Sequence, residues 1–118
     1  MHVIETRSEK HGKKFDSQQC RQWLAENVDI DFFRTICDPV RSELLIFLAS
    51  SGELTVGEIA EHFPQNRSVI SRHLDQMHRL GAVERRKVGR EILYQANSRL
   101  IVDKFEEATT HMKAVLKN

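Results

Sequence analysis

Three observations predict a mainly α chain with one small β-hairpin, an α+β architecture. From Asn66 to Gly81, Ile70, Leu74 and Met77 recur at helical spacing, while Ser68, Ser71, Arg72, Asp75 and Arg79 fall on the opposite side. Just upstream, Thr55 and Glu58 have the spacing of a capping box for a short helix that closes at Pro64-Gln65, so two short helices meet across a tight joint. After Gly81 the apolar pattern changes from helical to alternating: Ala82–Val88 and Glu91–Ala96 read as strands joined at Gly89-Arg90, a turn that glycine favours. Helix, tight joint, helix and basic hairpin, in that order, make a winged helix-turn-helix, with the helix-turn-helix over 55–81 and the wing over 82–96.

The remaining elements follow from local signals. Residues 1–15 are polar, mixed in charge and include Gly12-Lys13-Lys14, the composition of a flexible arm, and 16–118 are long enough for one domain. Asp16 or Ser17 caps a helix to about Asn27 whose apolar stripe is Cys20, Trp23, Leu24 and Val28. A short helix near 30–37 buries Phe32 or Phe33 with Ile36. Asp38-Pro39 then starts a helix to about Ser50, because proline at the first helical position gives up only an N–H that would be orphaned anyway. Its Val40, Leu44, Leu45, Phe47 and Leu48 belong to the core, and Ser51-Gly52 ends it. Leu54-Thr55 is placed for one short strand pairing. The helix over Val56–Phe63 turns Ile59, Ala60 and Phe63 inward, and Asn66 and Gly81 cap and stop the helix that follows. Asn97 or Ser98 caps a last helix to about Leu116. Its Ile101, Phe105, Ala108, Met112 and Val115 form a two-per-heptad stripe, narrower than the face a globular core requires.

The net charge of +1 hides a segregation. Residues 1–66 hold seven Lys and Arg against eleven Asp and Glu, residues 67–90 hold seven against two, and residues 91–118 hold four of each. One basic face on an otherwise acidic or neutral chain fits a polyanion, and the near-neutral total argues against indiscriminate electrostatic binding. A helix presenting serines and arginines at its exposed leading end has the shape and donors to enter a major groove. The longest apolar run, Leu44–Ala49, is too short for a bilayer, and the first residues lack a signal peptide's apolar segment, so a cytoplasmic protein without a membrane partner is expected. No glycine-rich phosphate loop or nucleophile–base pairing points to an enzyme or a cofactor, and Asp29 and Asp31 read as turn and capping residues. A winged helix used as a protein-interaction module, its basic wing meeting an acidic partner, is the other class that these features fit.

The quoted segments resemble the ArsR/SmtB-type family of bacterial winged-helix regulators. Cys37-Asp38-Pro39-Val40-Arg41-Ser42-Glu43-Leu44-Leu45 resembles its Ala-Asp-Pro-Thr-Arg-x-x-Ile-Leu segment, and Gly52-Glu53-Leu54-Thr55-Val56-Gly57-Glu58-Ile59-Ala60 its Gly-Glu-Leu-Ser-Val-x-Glu-Leu-Ala. Ser68-Val69-Ile70-Ser71-Arg72-His73-Leu74 is similar to Ser-Thr-Val-Ser-x-His-Leu. Leu80-Gly81-Ala82-Val83 with Gly89-Arg90-Glu91-Ile92-Leu93-Tyr94 is similar to Gly-Leu-Val followed by Gly-Arg-x-x-Tyr-Tyr. The match spans about residues 30–100 in order. It implies a homodimer that binds an inverted-repeat operator in double-stranded DNA and represses transcription. It also implies pairing through the first and last helices, about 17–37 and 98–117, with Trp23, Leu24, Ile101, Phe105, Ala108, Met112 and Val115 in the interface. By position, Arg67, Ser68, Ser71 and Arg72 read bases or clamp phosphates, and Arg85, Arg86, Lys87 and Arg90 grip phosphates or the minor groove. Alternate positions on a strand face opposite ways, so the four wing cations do not all reach one groove. His73 borders the buried stripe and is either a packed, hydrogen-bonded imidazole or a DNA contact.

Many relatives release DNA on binding metal, and this sequence departs from their ligand patterns. Thr55 and Gly57 stand where one metal pattern has cysteines; in the other, Phe105 and Leu116 stand where histidines belong, leaving Asp103 alone. No metal is therefore expected at either position, and the six histidines form no dense cluster. His111 and Glu107 share a helix face, most simply as an exposed ion pair. Cys20 and Cys37 lack ligand spacing and read as reduced, small buried hydrophobes; the alternative is a redox pair, which requires their sulfurs within disulfide reach. The effector is left open.

Overall fold

The computed structural model describes residues 17–117, and their elements in chain order are α1 (Ser17–Asn27), α2 (Ile30–Ile36), α3 (Pro39–Ser51), β1 (Leu54–Thr55), α4 (Val56–Ala60), α5 (Arg67–Arg79), β2 (Val83–Val88), β3 (Glu91–Ala96) and α6 (Ser98–Leu116). The arm over 1–15 lies outside the described residues. Backbone contacts group the rest into two units: 31–101, and 17–30 with 102–117.

In the first unit α3, α4, α5 and α6 each start at a side-chain cap. Asp38 accepts from Val40 N–H at 3.1 Å and Arg41 N–H at 3.2 Å, ahead of Pro39 at the first helical position. Thr55 and Glu58 complete a reciprocal capping box, Glu58 N–H to Thr55 Oγ1 at 3.1 Å and Thr55 N–H to Glu58 Oε1 at 2.8 Å. Asn66 Oδ1 takes Val69 N–H at 3.0 Å, and Asn97 Oδ1 takes Leu100 N–H at 3.1 Å, so Asn97 is the cap of α6. Each bond satisfies an N–H that the helix cannot satisfy itself, worth about 1 kcal/mol. α4 is shorter than the expected 56–63: after Ala60 the bonds tighten to His62 N–H→Ile59 O and Phe63 N–H→Ala60 O, and the chain turns.

These starts aim apolar faces at one core, formed by Phe32, Leu44, Leu45, Leu48, Ile59, Ile70, Leu74, Met77, Ala82, Val83 and Tyr94. The antiparallel sheet runs β1-β3-β2, with Leu54 opposite Tyr94 and Val83 opposite Ala96. Gly89 opens the two-residue turn at φ +63°. Only Val83 of β2 is buried, so the strands leave the core almost at once and the hairpin stands out as a wing.

In the other unit Cys20 and Val115 are buried, Lys104 Nζ meets Asp29 Oδ2 at 2.9 Å, and Trp23 stacks edge-on against His111 with ring centroids 5.2 Å apart. His111 therefore is not paired with the Glu107 carboxylate; its Nδ1 bonds the Glu107 backbone carbonyl at 2.7 Å. The apolar stripe expected on α6 divides. Val115 is 5% exposed and Ala108 half-buried, whereas Val102, Phe105, Met112 and Leu116, which share one helical face, are 44–57% exposed. Ile101, in the first unit, packs against its core.

α5 ends in a paired turn: Ala82 N–H reaches Met77 O and Gly81 N–H reaches His78 O, both at 3.0 Å, with Gly81 at φ +85°. A β-carbon at Gly81 would lie 2.8 Å from Leu100 Cδ1. Gly81→Ala is expected to lower stability by about 1–2 kcal/mol, read as a lower urea midpoint. An unchanged midpoint would mean that this turn does not hold the end of α5.

Candidate nucleic-acid interface

Burial of Ile70, Leu74 and Met77 fixes the rotation of α5, and the residues opposite them, Ser68, Arg72, Asp75 and Arg79, form its outward face. Arg72 is exposed, and its side chain makes no hydrogen bond or ion pair to any described residue. Ser68 is exposed and donates to Asn66 Oδ1 at 2.8 Å, so cap and hydroxyl are held together. Ser71 is half-buried. Arg67 lies across Gly57 of α4, where a β-carbon would collide with its Nη2, so the missing side chain makes room for a guanidinium.

His73 belongs to a polar cluster on the flank of α5. Arg41 Nη1 lies 3.2 Å from His73 Nδ1 and donates to Gln76 Oε1, while Arg41 Nε donates to Thr35 O at 2.6 Å. Guanidinium has no acceptor, so Nδ1 must accept and the proton sits on Nε2. Burial first, then the Arg41 charge and more weakly Arg72, holds the His73 pKa below its ordinary 6.5, against a smaller upward pull from Asp38. Within the chain His73 is thus half-buried and hydrogen-bonded through Nδ1. The contact of Arg41 with Gln76 and His73 of α5 was not foreseen from the sequence.

The four wing cations are not equivalent. Arg85 Nη1 meets Asp75 Oδ1 of α5 at 2.9 Å. Arg86 points to the other face of the hairpin and grips Glu53 with two bonds, Nε to Oε2 at 2.6 Å and Nη2 to Oε1 at 2.8 Å, which hold the Glu53 carboxyl below its usual pKa. Lys87 and Arg90 are exposed, with no side-chain hydrogen bond or ion pair to any described residue. The pairing of Glu53 and Asp75 with the wing arginines was not foreseen from the sequence.

Cys20 is buried, as expected, but Cys37 is exposed. It follows the last turn of α2, its backbone N–H bonded to Phe33 O at 3.0 Å, directly before the capping Asp38. Among the described residues no three His, Cys, Asp or Glu side chains converge to hold a metal ion, and no helix is long and apolar enough to cross a membrane.

A family model described as bacterial regulatory protein, arsR family, matches residues 38–85. The transcriptional repressor SdpR of Bacillus subtilis (strain 168) is 34% identical over 71 residues, which cover 60% of this chain and 78% of that protein. The chain belongs to the bacterial ArsR regulatory family. It is a DNA-binding transcriptional regulator of that family, which is not one of enzymes. A solved structure described as a possible transcriptional regulator for arsenical resistance shares 32% identity with it at a TM-score of 0.55, over 74% of this chain and 81% of that one. An ArsR-like transcriptional regulator from Rhodococcus sp. RHA1 shares 27% at a TM-score of 0.55, over 75% and 76% of the two chains. The ArsR-type fold, with its helices and small antiparallel wing sheet, agrees with the class expected from the sequence.

Because the folded-state pKa of His73 is depressed, the unfolded chain takes up its proton first on acidification. The stability carried by the neutral ring is full above about pH 6.5 and is lost as pH falls from there through the folded-state pKa. His73→Gln keeps an acceptor for Arg41 but cannot titrate. Its loss of stability between pH 7.5 and pH 5 is expected to be smaller than that of the unsubstituted chain in urea titrations; equal losses would show that the ring titrates freely.

Proposed function

We propose that this ArsR-family chain is a homodimeric repressor that binds an inverted-repeat operator in double-stranded DNA within the bacterial cytoplasm. The observation that carries the proposal is the outward face of α5, where Arg72 projects from the side opposite the buried stripe with no hydrogen-bond or ion-pair partner among the described residues. Arg67, Ser68, Ser71 and Arg72 enter the major groove, Arg72 reading a base through its two-pronged donors and the serines and Arg67 meeting phosphates or base edges. Lys87 and Arg90 at the wing tip meet backbone phosphate or the neighbouring minor groove. Arg85 and Arg86 join them only by exchanging Asp75 and Glu53 for phosphate. His73 keeps α5 in place through Arg41.

One short helix and one wing touch few base edges, and a two-fold pair doubles the readout and explains an inverted repeat. The seam is the exposed α6 face of Val102, Phe105, Met112 and Leu116, with Trp23 and Leu24 of α1 at its margin. Phe105 and Met112 carry the seam in this reading because they are exposed, whereas Val115 is buried within the subunit, Ala108 is half-buried and Ile101 packs against the core of the 31–101 unit.

Gel shifts and anisotropy titrations with duplexes enriched from a random pool test this directly. Arg72→Ala is expected to weaken the enriched site by about 1–3 kcal/mol, roughly 5- to 150-fold, and a scrambled duplex far less; an equal loss on both would remove Arg72 as a base reader. Met112→Glu is expected to sediment as a monomer with unchanged helical content, and a persisting dimer would place the seam elsewhere.

A further inference from the structure

Beyond the α5 face and the wing, one more cationic surface lies in the 31–101 unit. A groove of about 390 Å³ runs between the α2–α3 joint and the C-terminal half of α5, where Arg34, Arg41 and Arg79 line it together with Asp31, Gln76 and Leu80. Three guanidinium groups face one carboxylate there, and Leu80 is the apolar lining residue, so the groove suits a hydrated oxyanion and not an organic effector, whose sites are mostly apolar. The groove also has a built floor. Arg41 is fixed by bonds to Thr35 O and to Gln76 and stands beside His73, which leaves it to position the groove and not to swing out.

The two other arginines are available. Arg79 is exposed, and its side chain makes no hydrogen bond or ion pair to any described residue. Arg34 pairs with Asp31 at 2.9 Å, but both side chains are more than 70% exposed, at 72% and 76%, the kind of pair that exchanges readily with another anion. Arg79 lies two turns along α5 from Arg72 on the same outward face, so the groove continues the surface that meets the duplex.

We propose that this groove is a third DNA contact, taking a backbone phosphate between Arg34 and Arg79. The proposal rests on the DNA-binding role given above. It assigns to α2 a part in DNA binding distinct from the helix-turn-helix and the wing. Such a contact carries no sequence information: it adds affinity and salt dependence equally on every duplex.

The test uses the full chain, a labelled duplex enriched from a random pool, and a scrambled duplex of equal length, titrated from low to high KCl. Arg34→Ala and Arg79→Ala are each expected to reduce the magnitude of the slope of log K against log[KCl] by about one per subunit, and to weaken both duplexes alike by about 3- to 10-fold near 0.15 M KCl. Arg34→Lys and Arg79→Lys are expected to restore most of the slope. Slopes unchanged in both alanine variants, while Arg72→Ala still loses the enriched site, would overturn the groove contact and leave the DNA-binding role standing. Failure of the unsubstituted chain to bind either duplex would overturn both. If the DNA slopes are unchanged but inorganic pyrophosphate raises the melting temperature of the unsubstituted chain and not of Arg79→Ala, the groove takes a free anion and the DNA contact is refuted.

Discussion

The structure depends most on the seating of one helix. Ile70, Leu74 and Met77 are each fully buried, and no other rotation of α5 would bury them together. Moving one residue round the helix would draw Arg72 or His73 toward the apolar interior and expose a core side chain, at a cost of several kcal/mol for an uncompensated charge. Cap and stop limit sliding along the axis, Asn66 at one end and the Gly81 turn at the other. Arg41 braces the flank. Recognition by a helix requires that its side chains be placed to within a fraction of an ångström before the ligand arrives, and these constraints act on a different degree of freedom each.

Electrostatics then decides which cations are free to act. Arg85 and Arg86 are partnered by Asp75 and Glu53, one on each face of the hairpin, so the wing is tied both to α5 and to the segment before β1. These exposed pairs orient the wing more than they stabilise the fold. Of the cations with no ion-pair partner among the described residues, Arg67, Arg72 and Arg79 lie along α5 and Lys87 and Arg90 at the wing tip. A chain of near-zero net charge can thus meet a polyanion with a restricted set of contacts, which favours positioned over diffuse binding.

What could be foreseen from the sequence follows the range of each interaction. Asp38-Pro39, Thr55 with Glu58, and Asn66 act within three residues, and the structure shows those caps where the local pattern demands them. Arg41, His73 and Gln76 are 32 and 35 residues apart in the chain, and nothing in one sequence couples them. The same holds for Arg86 and Glu53, 33 residues apart. The α6 stripe divides for a different reason. Its apolar sector is broad enough to serve two neighbours, and periodicity cannot tell which half turns inward: Val115 does, and Leu116 beside it does not. Cys37 shows the limit of residue type as a guide to burial, since a thiol at a helix end goes where the backbone turn puts it.

The central claim is that the duplex is met by the outward face of α5 together with the wing tip. Amide chemical-shift mapping of the ¹⁵N-labelled chain, titrated with a duplex enriched from a random pool, reads that surface residue by residue. The account predicts the largest changes over 66–75 and 86–91 and almost none around Ile46, which is exposed on α3. Tight binding with α5 and the wing tip unperturbed would contradict it.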